Sequence, residues 1–136
     1  MTHGERYIEA LTFGKPNRFP HFNVDTDGNV LGLIPLMLEM GVTSMLPFEV
    51  QAGNDITQIR ERYGQQLAII GGIDKLALTL GKIAIDAELE AKLPLMVQTG
   101  GYIAGVDHRV VVETSYKNFA YFAQRVREYL IRSENS

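Results

Sequence analysis

FNVDTDGNVLGLIPLMLEMGV, residues 22–42, decides the fold because its hydrophobic period changes halfway along. Residues 19–24 are mostly apolar and short enough for a strand, with Pro20 near the start, where a missing backbone donor does least harm. From Asn29 onward Val30, Leu33, Ile34, Met37 and Met40 recur at spacings of three and four, a helical stripe that Gly41 closes. Pro35 lies inside this stripe and implies a kink or a late first turn. Between the two patterns stand Asp25 and Asp27, whose spacing of two puts both carboxylates on one side of an extended chain. The stretch is one β–α unit with acids at the C-terminal end of its strand.

The unit recurs in kind along the chain. Residues 43–48 read as a strand and residues 55–63, closed by Gly64, as a helix. Residues 67–70 are a continuous apolar run; Gly71-Gly72 and a helical stretch from Asp74 to Thr99 follow, interrupted near Gly81 and Pro94. Tyr102-Ile103 is a short strand, and Ser115 is the N-cap of a last helix with the apolar stripe Phe119, Phe122, Val126 and Leu130. Ahead of all this, residues 3–13 place Tyr7, Ile8 and Leu11 on one helical face before Gly14 and Pro16. A helix followed by four strand–helix pairs implies an α/β chain with a parallel sheet and right-handed crossovers. That order suits a doubly wound sheet or part of an eight-stranded barrel. No G-x-G-x-x-G or G-x-x-x-x-G-K-[ST] follows any strand, which argues against a nucleotide site.

The 136 residues fit one domain, residues 1–136, with 46% apolar and 21% charged residues. A net charge of −3, with no basic patch or polybasic run, argues against nucleic acid and anionic membranes as partners. No apolar run approaches the roughly 18–20 residues needed to span a bilayer. The absence of cysteine removes disulfides, thiolate ligands and thiol nucleophiles. A cytoplasmic location is expected.

Each strand delivers ionisable groups to one edge: Asp25 and Asp27 after the first, Glu49 after the second, Asp74 after Gly71-Gly72, and Asp107-His108-Arg109 after the fourth. In parallel α/β folds, ligands bind at that edge. Local roles compete with this reading. Asp27 suits a helix cap as well as a ligand, and Asp74 before Lys75-Leu76 is expected to cap. Glu49 and His108 suit a ligand site or a solvated loop. Met37, Met40, Met45 and Met96 read as core packing, as do the aromatic residues of the last helix, whereas Arg60, Arg62, Lys117, Arg125 and Arg127 read as solvated helix faces.

LIPLMLEMGVTSMLPFEVQAGNDITQIRERYG, LAIIGGIDKLAL and GGYIAGVDH together strongly resemble the C-terminal half of uroporphyrinogen decarboxylase-like proteins. ERYIEALTFGKPNRFPHF resembles the N-terminal helix and first-strand entry of the same superfamily, which also includes methyltransferases acting between corrinoid proteins, thiols and methylated substrates. The resemblance implies a barrel shortened to its N-terminal helix and last four β–α units. His108 matches the family's late pocket histidine. The Arg-rich M-R-Q-A-G-R loop, whose arginines grip substrate carboxylates in the decarboxylases, has no counterpart here. In the methyltransferase branch an H-x-C pair holds zinc; it aligns with Asp25-x-Asp27, and a later ligand falls near His108.

These considerations nominate Asp25, Asp27 and His108 as ligands of a divalent zinc, manganese or magnesium ion, with Glu49 nearby. His108 and Glu49 are the catalytic candidates, and Gly72, Asp74 and Asp107 the substrate-binding ones. The expected function is decarboxylase- or methyltransferase-like chemistry on a small molecule; the alternative is a non-catalytic binding or assembly module. Four strands of an unclosed barrel leave two open edges and a bare apolar face, so a homodimer or a complementary half-barrel is expected to close them.

Overall fold

The computed structural model describes residues 5, 8, 9, 13–15 and 23–134. The helix expected over residues 3–13 and the strand entry at residues 19–22 lie largely outside these. Among the described residues four strands, β1 (Asn23–Thr26), β2 (Ser44–Pro47), β3 (Ala68–Ile70) and β4 (Tyr102–Ile103), form one sheet in the order β1-β2-β3-β4. Every pairing is parallel, with Asp25 opposite Leu46 and Ile70 opposite Ile103. The helices are α1 (Ile34–Glu39), α2 (Ile56–Tyr63), α3 (Ala77–Leu80), α4 (Lys82–Thr99) and α5 (Tyr116–Glu134).

Strand parity sets the core. Met45 and Ile69 pack fully buried with Ile34 of α1, Ile56 and Ile59 of α2, and Met96 of α4. A second cluster, Ile73, Leu78, Ile85, Leu89, Leu93 and Phe122, joins α3, α4 and α5, and Tyr102 packs against both. The strand residues of opposite parity, Leu46, Ile70 and Ile103, belong to neither cluster, and Ile103 is 55% exposed. Among the described residues, then, only one face of the sheet carries a core. No helix among them is long and apolar enough to cross a membrane.

Local chemistry accounts for the helix limits. Asp55 caps α2 by accepting from the Thr57 amide at 2.9 Å and the Thr57 hydroxyl at 2.7 Å, and Gly64 ends it. Ser115 Oγ accepts from Asn118 N at the start of α5. Of the two outcomes open for Pro35, the late first turn holds: Asn29 to Leu33 form turns, and proline occupies the opening of α1. Gly81 separates α3 from α4.

Four sequence expectations are corrected. Pro94 does not interrupt α4, because the fully buried Leu89, Leu93 and Met96 hold the helix on course around it. Met40 is 76% exposed rather than core, since α1 ends at Glu39 and Met40 falls beyond the packed stripe. On α5, Phe122 is buried, but Tyr116, Phe119 and Leu130 are exposed. Arg60 is buried, not solvated, and donates to the carbonyls of Gly64, Leu67, Gly100 and Gly101.

Candidate metal centre

The C-terminal ends of the strands hold the candidate residues, and the chain path between them is tightly specified. After β2 the backbone enters the left-handed region at Phe48, φ 60°. That conformation costs an ordinary residue about 1–2 kcal/mol. Burying the ring, here 1% exposed, returns about 1.5–3 kcal/mol, so the core wins. The consequence is that Phe48 turns into the core while Glu49 emerges at the rim of the sheet.

Two buried polar residues then fix the rim. Asn54, 2% exposed, donates to Gly28 O at 2.8 Å and Glu49 O at 2.9 Å, and accepts from Val30 N at 3.0 Å. It ties the loop after β1 to the loop after β2. Asp107, fully buried, accepts from Val50 N at 2.8 Å and Lys75 N at 2.9 Å, with Lys75 Nζ at 3.5 Å. It ties the loops after β2, β3 and β4.

Held in this way, Asp27, Glu49 and His108 converge. His108 Nε2 is 3.4 Å from Asp27 Oδ1 and 3.7 Å from Glu49 Oε1, and one ligand atom from each residue lies within 4.8 Å of the others. The histidine and glutamate side chains are 31% and 22% exposed and Asp27 73%, so the group sits at a mouth open to solvent. These separations exceed an N–H···O hydrogen bond of about 2.7–3.2 Å. The first falls within, and the second just beyond, the roughly 3.3–3.6 Å between ligand atoms that each lie about 2.0–2.2 Å from one tetrahedral ion. One imidazole and two carboxylates therefore fit a divalent cation with a position left open.

Beside the cluster lies a cavity of about 420 Å³ lined by Asp25, Asp27, Leu46, Pro47, Val106, His108 and Arg109. Its size is that of a small-molecule site. Asp25 lines this cavity but stands outside the converging group, and Glu49 takes the third place. β1 ends at Thr26, so Asp27 leaves the strand and no longer shares the geometry of Asp25.

The substrate-contact candidates occupy other positions. Asp107 directs both carboxylate oxygens at protein donors. Asp74 forms a local turn by accepting from Leu76 N at 2.9 Å, and also accepts from Gln51 Nε2 at 3.0 Å. Gly72 serves close packing: its φ is +79°, and a Cβ there would lie 2.3 Å from Ile56 Cγ2. Its carbonyl accepts from Lys92, which is buried and paired with Glu88, whose other contact is Asp74 N at 2.9 Å. Sequence reasoning placed Arg109 at this edge without assigning it a role, and missed Asn54. Asn54 in QAGND reads as an ordinary turn residue; only its reach of 24 residues to Val30 and 26 to Gly28 reveals it as a brace.

The family model described as uroporphyrinogen decarboxylase (URO-D) matches residues 13–129. Comparison with curated proteins gave no match.

Proposed function

Because the chain belongs to the uroporphyrinogen decarboxylase family, we propose that it binds a small molecule at the C-terminal edge of its sheet, beside a divalent cation held by Asp27, Glu49 and His108. The observation that carries this reading is the pair of 3.4 and 3.7 Å separations, too long for hydrogen bonds and suited to a shared ion. When bound, such an ion supplies Lewis-acid polarisation of an oxygen on the ligand. The two carboxylates neutralise the ion, the imidazole fixes its place, and Leu46, Pro47 and Val106 give the neighbouring cavity an apolar wall. The chain has no cysteine, so the donor set is nitrogen and oxygen, which favours an oxygen-bearing ligand over a thiol. Decarboxylation or methyl transfer is the reaction class the family suggests.

Titration calorimetry with Zn²⁺, Mn²⁺ and Mg²⁺ tests the site. One ion per chain is expected for at least one of them. His108→Ala and Glu49→Gln are expected to lower its affinity by about tenfold or more, with stability within about 0.5 kcal/mol of wild type. Absence of binding by the wild type, or undiminished binding by His108→Ala, defeats the proposal.

A binding or assembly role without turnover is the second reading, and the one-sided core favours it. We propose that the four-stranded sheet is half a barrel and that a second copy closes it, β4 of each chain pairing with β1 of the other. Exposed apolar residues stand on the segment that follows β1 (Leu33, Leu36 and Met40) and on the helix that follows β4 (Tyr116 and Phe119). Unpaired strand edges are a liability that such closure removes. Light scattering at micromolar concentration is expected to give twice the chain mass; a monomer there defeats the assembly.

A further inference from the structure

We propose that Asp107 is the positioning residue of the Asp27–Glu49–His108 cluster, a claim that rests on reading those three as one site. Its neighbour in the chain is His108, and the residue whose amide it binds, Val50, is the neighbour of Glu49. A single carboxylate therefore fixes the separation between the histidine-bearing and glutamate-bearing loops, across 57 residues of sequence. Its other oxygen holds Lys75 N at 2.9 Å, and its own amide donates to Ile73 O at 2.8 Å, so the anchor is referred to β3. Hydrogen bonds to an ionised acceptor are roughly twice as strong as neutral ones, and Lys75 Nζ at 3.5 Å offsets the buried charge. The group is satisfied without touching the cavity.

The competing view is that Asp107 only stabilises the loops. That role alters the unfolding free energy but not the ion affinity of folded molecules. Asp107→Asn keeps the shape, but its amide can accept only at one atom, so Val50 N–H or Lys75 N–H loses its partner. In the folded variant, Zn²⁺ or Mn²⁺ affinity measured by calorimetry is expected to fall about 10- to 100-fold.

Val50→Pro guards against a variant that fails to fold. Val50 opens a 3-10 turn, a position proline tolerates, and Glu49 already has φ −59° and ψ 117°, the extended form required before proline. It deletes the N–H that Asp107 binds and leaves the carboxylate in place; a loss of about fivefold in affinity is expected. A metal-free arm reads the nuclear Overhauser effect between the His108 ring and the Glu49 side chain, present in the wild type and lost in either variant. Undiminished affinity in folded Val50→Pro, or persistence of that effect, overturns the proposal. If the wild type binds neither ion, the cation reading fails, and the nuclear Overhauser arm alone decides: loss supports positioning and persistence refutes it.

Discussion

The two ends of the sheet are each organised by one buried charge, and the charges are opposite. At the C-terminal end Asp107 gathers amide N–H groups from the loops after β2 and β3. At the N-terminal end Arg60 gathers four carbonyls, from Gly64 and Leu67 before β3 and from Gly100 and Gly101 before β4. Both bind loops that are distant in sequence. Yet Asp107 abuts an open cluster of ionisable side chains, while Arg60 binds backbone alone. In parallel α/β folds the C-terminal edge carries chemistry and the opposite edge carries stability. The chain builds the same kind of buried hub at both ends and leaves a cluster of ionisable side chains open to solvent at one.

The largest effect expected from breaking this comparison is at the N-terminal hub. Arg60→Met leaves four carbonyls without their donor, and each buried acceptor so stranded costs about 1–3 kcal/mol. Gly64, Gly100 and Gly101 are exposed, and water relieves part of that cost. A net loss of about 3–5 kcal/mol in urea unfolding is expected. Ion affinity of the folded variant should match wild type. If affinity falls together with stability, the division of labour between the two ends is wrong.

How the hubs escaped sequence reading follows from their physics. The β–α alternation was legible because short apolar runs such as residues 67–70, bounded by glycine, alternate with helical stripes at spacings of three and four. The cap at Ser115 was legible because its partner, Asn118, lies three residues away; Asp55 acts in the same way at the start of α2 without having been singled out. Arg60 in ITQIRERY reads as one more charge on an amphipathic helix, since its acceptors at Gly100 and Gly101 lie 40 and 41 residues on. Asp107 was noticed for its place after a strand, but nothing local indicates that its carboxylate turns inward. The acids and histidine of the rim were legible as a set; their grouping was not, because it depends on where β1 ends and on the left-handed turn at Phe48.

Tyr102 lies between the hubs and offers a smaller test. It packs against both core clusters, and its hydroxyl donates to Gly71 O at 2.9 Å. Burial pushes its phenol above the ordinary value of 10.0. A raised folded pKa means that the unfolded chain releases this proton first. Stability from this source is therefore complete below about pH 10 and declines as pH rises beyond it. Tyr102→Phe is expected to cost about 1 kcal/mol at neutral pH and to flatten the alkaline decline, read as unfolding free energy from pH 8 to 11. An alkaline limb as steep in the variant as in wild type would place the titrating group elsewhere.

The smallest effect is expected far from either hub, at the seam of α4 and α5. Asp86 accepts from Tyr121 Oη at 2.7 Å and Arg125 Nε at 2.9 Å, and Arg125 also pairs with Glu128. The Tyr121 hydrogen bond first, and then Arg125, lower the Asp86 pKa from its ordinary 3.8. A lowered folded pKa gives stability that is present above the unfolded value and lost as pH falls through the folded one. The seam is solvent-exposed, so screening keeps its contribution small. Asp86→Asn should change the thermal midpoint little at neutral pH and slightly reduce the acid limb below about pH 4, with ion binding unchanged. A large shift at neutral pH would mean that the seam, rather than the buried hubs, carries the long-range order of the chain.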